Sequence, residues 1–346
     1  MATQNDEGAG TSPPSVAQIQ EMAVAYRIPE MIFVAVRLGI ADLLVDGPKS
    51  SNDLAAATDA NPEALYRLLR ALASTGIFAE INERRFELTP LAETMCKDST
   101  NSMYDFLMYH ASPSVRLPWA NLMHSVKTGE DAFTHVFQED HWGYFSKNPE
   151  ASGIFNRFMG SITVGVSATV VDAWDFAGSR TVVDVGGGTG ELLAEIMKQY
   201  PQVNGMLQDL ASPLEEAEGV MKREGVADRC EFVIGSFFES VVSGSDTYIL
   251  KQILHDWNDE DSRSSLRNCR KAMEEGTKLL VIEVIVPLGN NPSISKMGDI
   301  HMLVVNPGGR ERTEDEFRAL LHEGGFNMVG VTPTQSRFNI IEAVAI

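Results

Sequence analysis

The sequence predicts a doubly wound α/β domain closed by a C-terminal antiparallel hairpin, behind a mostly helical N-terminal winged-helix module. Three observations carry this expectation. From Arg180 onward, short β-rich runs alternate with apolar-faced helical runs, the rhythm of a parallel sheet covered on both faces. The first β-rich run, T-V-V-D-V at residues 181–185, enters a glycine cluster, G-G-G-T-G at 186–190, and a helical pattern follows at once through Leu192, Leu193, Ile196 and Met197. Residues 50–90 read as helix, helix, strand, turn, strand.

Global composition narrows the possibilities before any motif is used. The chain has 346 residues, more than one core usually needs, so two domains are expected. Its formal net charge is −20, which repels phosphate backbones and anionic lipid and disfavours nucleic acid and membranes as partners. Cys96, Cys230 and Cys269 are widely spaced, so neither a disulfide framework nor a zinc site is expected, and the chain reads as cytoplasmic. No run approaches 18 apolar residues, so no membrane span is expected.

In order along the chain, residues 1–16 are polar and rich in Gly, Ser and Pro, and read as a disordered tail rather than a signal peptide. Residues 17–45 read as helix with little polar surface, at Met22, Tyr26, Ile28, Ile32, Phe33 and Val36, with Pro29 starting or breaking it. A stripe this wide suits a subunit interface better than one-sided burial. Ser51 or Asn52 is expected to cap a short helix. Asn61-Pro62-Glu63 opens another, whose apolar face is Leu65, Leu68, Leu69 and Leu72 and which Gly76 ends. The turn at 82–85 is the wing. A DNA-reading helix needs bases and amides, but here Arg67, Arg70, Arg84 and Arg85 stand beside Glu63, Glu80, Glu83 and Glu87, a poor phosphate-binding face. The module is therefore read as packing and dimerisation, spanning 17–110.

Residues 111–172 read as a helical connector and substrate lid. They are rich in aromatic and Met residues, including Trp142, Phe155 and Met159, of the kind that packs a core or covers a flat aromatic ligand. His110, His124, His135 and His141 show no metal spacing and no carboxylate partner and read as structural or solvent-facing. Residues 173–346 form the sheet domain. Strands are expected at 181–185, 203–208, 231–234, 246–250 and 278–284, helices at 191–199, 214–223, 260–273 and 313–322, and a terminal hairpin from 327–332 and 338–344.

The glycine turn is where such a domain holds a nucleotide-like cofactor: N–H groups at the following helix N-terminus are unpaired, and glycines let a ligand approach the backbone. A dinucleotide fingerprint is G-x-G-x-x-G. Here Gly186, Gly188 and Gly190 make G-x-G-x-G after Asp184, and Glu191 stands where the third dinucleotide glycine belongs. That spacing is the form seen in S-adenosylmethionine-dependent methyltransferases. Asp209, at the end of the second strand, can accept two ribose hydroxyls, with Leu210 on the adenine face. His255, in K-Q-I-L-H-D-W at 251–257, falls at a strand's carboxyl end, where a histidine can take a phenolic proton near neutral pH. Either Glu283, after the fifth strand, or Glu311, just before a helix, could hold its imidazole in one tautomer.

Together D-V-G-G-G-T-G at 184–190, K-Q-I-L-H-D-W at 251–257 and N-P-G-G-R-E-R-T at 306–313 closely resemble the caffeate/flavonoid-type small-molecule O-methyltransferases, which have bacterial relatives acting on secondary metabolites. The resemblance covers nearly the whole chain. It implies a Rossmann-like methyltransferase sheet and S-adenosylmethionine as cofactor, with S-adenosylhomocysteine as product and no metal. The implied partners are a small aromatic hydroxylated substrate and a second copy of the chain, bound through N-terminal helices that complete each other's pocket. The implied reaction is methylation of a phenolic, polyketide or phenazine-like hydroxyl by in-line transfer, with His255 as general base, flanked by Glu283 and Glu311 and followed by Asp256. Asp184, Gly186, Gly188, Asp209, Leu210, Ser236, Phe237, Lys251 and Thr163 are the implied cofactor contacts. Phe155, Met159, Trp142, Met302 and Asn306 are the implied substrate contacts. Two positions depart from the family: Ser236 stands where an Asp usually contacts the adenine amine, and Gln252 replaces a common aromatic. The alternatives are a relative that keeps the cofactor but hydroxylates or decarboxylates, and a winged-helix regulator.

Overall fold

The computed structural model describes residues 15–82 and 84–346. Most of the expected tail, and Glu83 of the wing, lie outside the described residues. The tail's predicted end at 16 is displaced, because Ser15 already caps a helix through its hydroxyl and Val16 begins it. The chain divides into two compact units, the first ending at Ala111 and the second running from Ser112 to Ile346.

The first unit holds α1 (Val16–Val24), α2 (Arg27–Arg37), α3 (Ile40–Leu43), β1 (Lys49–Ser50), α4 (Ser51–Thr58), α5 (Pro62–Ala73), β2 (Phe78–Asn82), β3 (Arg85–Leu88), α6 (Pro90–Glu93) and α7 (Tyr104–His110). Ser50, not Ser51 or Asn52, caps α4, accepting from the Asp53 N–H at 3.1 Å. Asn61 caps α5 with Pro62 at its first position, where the missing N–H costs nothing. Leu54, Leu65, Leu69, Leu72, Phe78 and Phe86 build the core. Strand order is β1-β3-β2, antiparallel throughout. Arg84 of the wing pairs with Glu63 at 2.8 Å and lies over the Tyr66 ring, so this base is engaged within its own module. α1 buries no residue: Val16, Ile19 and Met22 remain 64–75% exposed. Nine residues cannot hold a helix alone in water, so this apolar surface requires a covering.

The second unit begins with α8 (Pro113–Ala120), α9 (Leu122–Thr128), α10 (Ala132–Phe137), α11 (His141–Lys147) and α12 (Pro149–Ala173). α12 is one unbroken helix of 25 residues, long and apolar enough by length and composition alone to cross a membrane. The sequence expectation missed this because Asn156, Arg157 and several Ser and Thr interrupt the apolar run. Its C-terminal half packs Val166, Val170 and Val171 into the core beside α13 (Glu191–Gln199). His124 was expected to have no carboxylate partner, but its Nε2 lies 3.7 Å from Glu130.

After β4 (Thr181–Val185) and α13 come β5 (Asn204–Asp209), α14 (Ala211–Arg223), β6 (Cys230–Ile234), β7 (Thr247–Lys251), α15 (Asp259–Ala272), β8 (Lys278–Glu283), α16 (Ile294–Val305), α17 (Glu314–Glu323), β9 (Phe326–Pro333) and β10 (Asn339–Ala345). The seven strands lie in the order β6-β5-β4-β7-β8-β10-β9. The first five are parallel and β10 is antiparallel to both neighbours. Two apolar layers cover the two faces, as the continuous hydrophobic runs of a buried parallel sheet require. α16 was not anticipated from the sequence; its Val304 and Val305 pack against Ala132 of α10. Strand order reverses between β4 and β7, so a crevice opens outside their carboxyl ends. Asp209, Lys251 and Glu283 each end a strand on that edge.

Candidate active site

At the carboxyl end of β4 the backbone turns sharply. Gly186, Gly188 and Gly190 take φ of 70°, 61° and 82°, a region costly for residues with a Cβ. A Cβ on Gly186 would strike the Ile253 side chain at 2.6 Å, and one on Gly187 would meet Asp184 and Leu207 at 2.5 Å. A Cβ on Gly188 would meet nothing within 4 Å. Gly186 and Gly187 are thus closed in by packing, and Gly188 faces open space. Its N–H donates to Asp209 Oδ2 at 2.8 Å, while Oδ1 accepts from Leu210 N–H at 2.6 Å. Asp209 therefore braces the turn with oxygens that each keep a lone pair. Leu210 is 58% exposed beside it.

On the other side of the switch point, Lys251 donates to Thr163 Oγ1 of α12 at 3.1 Å and to Gln252 Oε1 at 3.0 Å. Gln252 has φ of 54°, a left-handed conformation for a residue with a side chain. Asp184 is buried, and its Oδ1 has no hydrogen-bond partner. Burial pushes its carboxyl up to about 7 against the pull of Lys251. Burial likewise lowers Lys251, with Asp184 opposing, and raises Asp209.

His255 sits in a single 3-10 turn, Leu254–Asp256, beyond β7. Its ring is buried, with Nδ1 3.1 Å from Glu311 Oε1. A carboxylate only accepts, so Nδ1 carries the hydrogen, and in the neutral ring Nε2 keeps its lone pair. Asp256 Oδ1 lies 3.5 Å from Nε2. Glu283 behaves differently from the expectation that it holds the imidazole. Its Oε1 accepts from the backbone N–H groups of Ile253 and Leu254 at 3.0 Å and of His255 at 3.4 Å. Only Oε2 faces the ring, 3.9 Å from Nδ1, so Glu283 holds the turn by hydrogen bonds and reaches the imidazole by charge. Burial disfavours a charged imidazole, yet Glu283, Asp256 and Glu311 outweigh it and raise His255 from 6.5 to about 10. Burial pushes Glu283 up to about 7 and raises Asp256, with His255 opposing both.

His255, Glu283 and Glu311 bring donor atoms within 4.8 Å of one another, a spacing that would admit a metal ion. Their bonding argues for a different occupant. Nδ1 is already engaged by Glu311 and Glu283 Oε1 by three backbone donors. Oε2 of each glutamate is buried without a hydrogen bond. A protonated imidazole supplies the positive charge these oxygens face.

A second clamp, not anticipated from the sequence, holds the same turn from its carbonyl side. Arg312 is fully buried; it donates to Leu254 O at 2.6 Å, Trp257 O at 2.9 Å and Asp259 Oδ1 at 2.8 Å. Arg310 N–H donates to His255 O at 2.8 Å. A Cβ on Gly309 would sit 3.1 Å from that same carbonyl, so segment 306–312 lies flush against the turn. The residue lay in view within G-G-R-E-R-T, but burial of a charge leaves no mark in a single sequence.

Of the expected substrate positions, Asn306 donates to Asp256 Oδ1 at 2.6 Å and lies 3.7 Å from Met302 sulfur, which ties both to the His255 cluster. Trp142 stacks on Trp257 at 6.5 Å between centroids and meets Phe155 at 6.0 Å. His141 packs among Phe133, Phe145 and Phe155. Burial lowers its pKa to about 4, which keeps the ring neutral within that aromatic wall. Met159 stands half-buried on α12, one turn before Thr163. Phe237 lies beside Gly186 and Trp257. Ser236 Oγ accepts from Phe238 N–H at 3.3 Å within its own loop, so the hydroxyl in the family's Asp position stabilises a local turn.

Comparison with known proteins bears on this arrangement. A sequence-family profile described as "O-methyltransferase domain" matches residues 119–327, and one described as "O-methyltransferase dimerisation domain" matches 20–98. A phenazine O-methyltransferase of Lysobacter antibioticus is 41% identical over 341 residues, covering 99% of each chain. The solved structure of a mitomycin 7-O-methyltransferase superposes with a TM-score of 0.91 at 34% identity, over 95% of this chain and 97% of that one. An O-methyltransferase from neocarzinostatin biosynthesis, solved with S-adenosylmethionine and 2-hydroxy-5-methyl naphthoic acid, gives 0.81 at 30% identity, over 92% and 96%.

Proposed function

Because the chain belongs to the S-adenosylmethionine-dependent O-methyltransferases and carries both the family's catalytic and its dimerisation domain, we propose that it methylates a hydroxyl of a small aromatic secondary metabolite with His255 as general base. The observation that carries this reading is the 3.1 Å contact between Nδ1 and Glu311, which leaves Nε2, with Asp256 3.5 Å away, as the nitrogen that can take a proton. Relatives named for phenazine and naphthoate substrates support a flat, polycyclic acceptor. The wall of Trp142, Trp257 and Phe155 suits such a ring system.

The residues fit the cofactor. Gly188 presents a backbone that a ligand can approach, and Asp209 keeps lone pairs for ribose hydroxyls. Asp184, Asp209, Asp256 and Glu283 are all raised by burial, so the crevice favours a positive charge. Lys251 and Thr163 would hold the methionine end. When bound, S-adenosylmethionine supplies an electrophilic methyl group on a sulfonium. His255 Nε2 takes the proton from the acceptor hydroxyl. Glu311 fixes the ring by its Nδ1 bond, and Asp256 and Glu283 stabilise the imidazolium that forms. Trp142 and Phe155 exclude water and orient the ring.

The test is label transfer from methyl-labelled S-adenosylmethionine to a panel of phenols, naphthols, anthraquinones and hydroxyphenazines. Absence of cofactor binding would remove the reading altogether. Gly188→Ala separates cofactor approach from packing. Its Cβ meets no protein atom, so stability falls by only about 1–2 kcal/mol from the left-handed backbone. Cofactor affinity, measured by titration, falls at least about tenfold if the added methyl intrudes on the ligand. Unchanged affinity would place the cofactor elsewhere.

The pH dependence follows from His255. Its pKa of about 10 means that the free base is a minority at pH 7 and grows as pH rises. The expected kcat/KM therefore climbs from pH 7 toward 10. A flat profile over that range would contradict the assignment. The same linkage sets stability: what the raised pKa contributes is fully present below the unfolded value of 6.5 and is lost as pH rises through about 10.

The exposed apolar surface of α1 and α2 would be the homodimer contact, each copy completing the other's pocket. A reducing, cytoplasmic setting accords with the three free cysteines.

A further inference from the structure

The β9–β10 connection is tied to itself. Thr334 Oγ1 donates to Phe338 O at 2.8 Å, Ser336 N–H donates to Thr334 Oγ1 at 3.1 Å, and Phe338 N–H donates to Ser336 Oγ at 3.3 Å. Phe338 is buried and anchors the loop in the layer that holds Val166 and Val170 of α12. Asn339 pairs with Glu283, and Ile340 with Ile282, which in turn faces Lys251. The loop therefore overhangs the carboxyl edge where Lys251, Glu283 and the His255 turn meet. Arg337 projects from it, exposed, its guanidinium 5.0 Å from the centre of the Phe338 ring. Among the described residues it makes no hydrogen bond and no ion pair. Desolvation lowers its pKa and Glu311 opposes this, while its charge in turn lowers Lys251.

A guanidinium without a partner among the described residues, carried on a hydrogen-bonded loop at the rim of a site in an acidic chain, is suited to a planar bidentate anion. Lys251 cannot serve the same purpose as freely, because Thr163 and Gln252 already accept from it. We propose that Arg337 binds a carboxylate at the rim of the His255 pocket, carried by the acceptor or by the methionine end of the cofactor. This rests on the methyltransferase reading above and narrows its ligand chemistry.

The test uses the full-length chain and two binding titrations. In the first, S-adenosylhomocysteine is titrated into wild type, Arg337→Ala and Arg337→Lys. In the second, protein saturated with S-adenosylhomocysteine is titrated with 2-hydroxy-1-naphthoate and with 2-naphthol. If the acceptor carries the carboxylate, wild type prefers the naphthoate by about 10- to 100-fold. That preference disappears in Arg337→Ala and returns in part in Arg337→Lys, with S-adenosylhomocysteine affinity unchanged. If the cofactor carries it, Arg337→Ala weakens S-adenosylhomocysteine by a similar factor and leaves the naphthoate-to-naphthol ratio alone. The proposal is overturned if Arg337→Ala changes neither quantity by more than about twofold, whatever wild type prefers. Arg337 would then only balance the charge of Glu311, and its loss would shift the pH profile for every acceptor alike. Failure of wild type to bind S-adenosylhomocysteine would instead strike the methyltransferase reading, so the two failures are distinguishable.

Discussion

His255→Ala lowers kcat for methyl transfer by about 100- to 10,000-fold, the range a positioned general base contributes, and leaves cofactor affinity within a factor of about two. The separation follows from the site. His255 lies beyond β7 with its ring held by Glu311, whereas the groups proposed for the cofactor, Gly188, Asp209, Lys251 and Thr163, bond to one another and not to the imidazole. Activity does not vanish, because holding two reactants in near-attack geometry can supply about 7–11 kcal/mol of the barrier without a base. What remains in the mutant should rise with pH only as the acceptor phenol ionises, which distinguishes it from the wild-type climb set by the imidazole. Single-turnover label transfer at several pH values measures both quantities. A loss below tenfold would mean that the acceptor ionises unaided and that His255 serves chiefly to pack the turn.

Arg312→Met costs about 3 kcal/mol or more in stability and lowers kcat in the fraction that remains folded. The wild-type guanidinium donates to Leu254 O, Trp257 O and Asp259, and methionine supplies none of these donors. Leu254 O keeps only the long contacts of Ser262 Oγ at 3.3 Å and Trp257 N–H at 3.4 Å, and Trp257 O only that of Ser262 Oγ at 3.4 Å, so each buried carbonyl loses its strong donor at a cost of about 1–3 kcal/mol. Asp259 is partly exposed and recovers water, so the two carbonyls dominate. For a unit of this size about 1 kcal/mol moves Tm by about 2–4 °C, which a thermal melt resolves easily. The turn would still be held by Glu283 at its N–H groups and by Arg310 N–H at the His255 carbonyl, but would lose its strongest donors at Leu254 O and Trp257 O. A displacement of about 1 Å at a reacting group can cost about 100-fold, so kcat should fall while cofactor affinity holds. Arg312→Lys keeps the charge but cannot reach three acceptors at once, and should fall between. An unchanged Tm in Arg312→Met would show that the clamp carries little.

Much of the fold was legible because its signals are local. The T-V-V-D-V-G-G-G-T-G stretch is a β-branched run meeting glycines, and the structure places β4 and α13 at the expected bounds. The cap at Asn61 followed from a side chain that reaches its own backbone, whereas Thr313, read as the first residue of its helix, proves to be its cap. What the sequence hid depends on partners far along the chain. Ile294–Val305 is apolar without a clear stripe, because α16 buries different faces against different helices, and its period could not be separated from coil. α12 went unread as one helix because the hydroxyls of Ser161, Thr163, Ser167 and Thr169 donate to carbonyls one turn earlier within the helix rather than mark an end. In the site, the proximity of His255 to Glu311 was expected from strand-end logic. The division of labour between the two glutamates was not, because which oxygen meets a backbone N–H is decided by the turn at 253–255 and not by residue type. Arg312 and Arg337 show the same limit: nothing local in the sequence marks either, yet one is fully buried and the other is exposed without an ion pair among the described residues.

α12 carries Phe155 at the aromatic wall and Thr163 at Lys251, eight residues apart on one uninterrupted helix. That fixes the two marks about 12 Å apart, close to the length of three fused rings. A helix does not stretch, so it works as a caliper whose jaws cannot be reset. For the acceptor proposed above, adaptation toward a longer or shorter ring system would then act through side-chain volume between the jaws, at Met159 before anywhere else. Its unbranched thioether is the kind of filler that can be exchanged without disturbing either end.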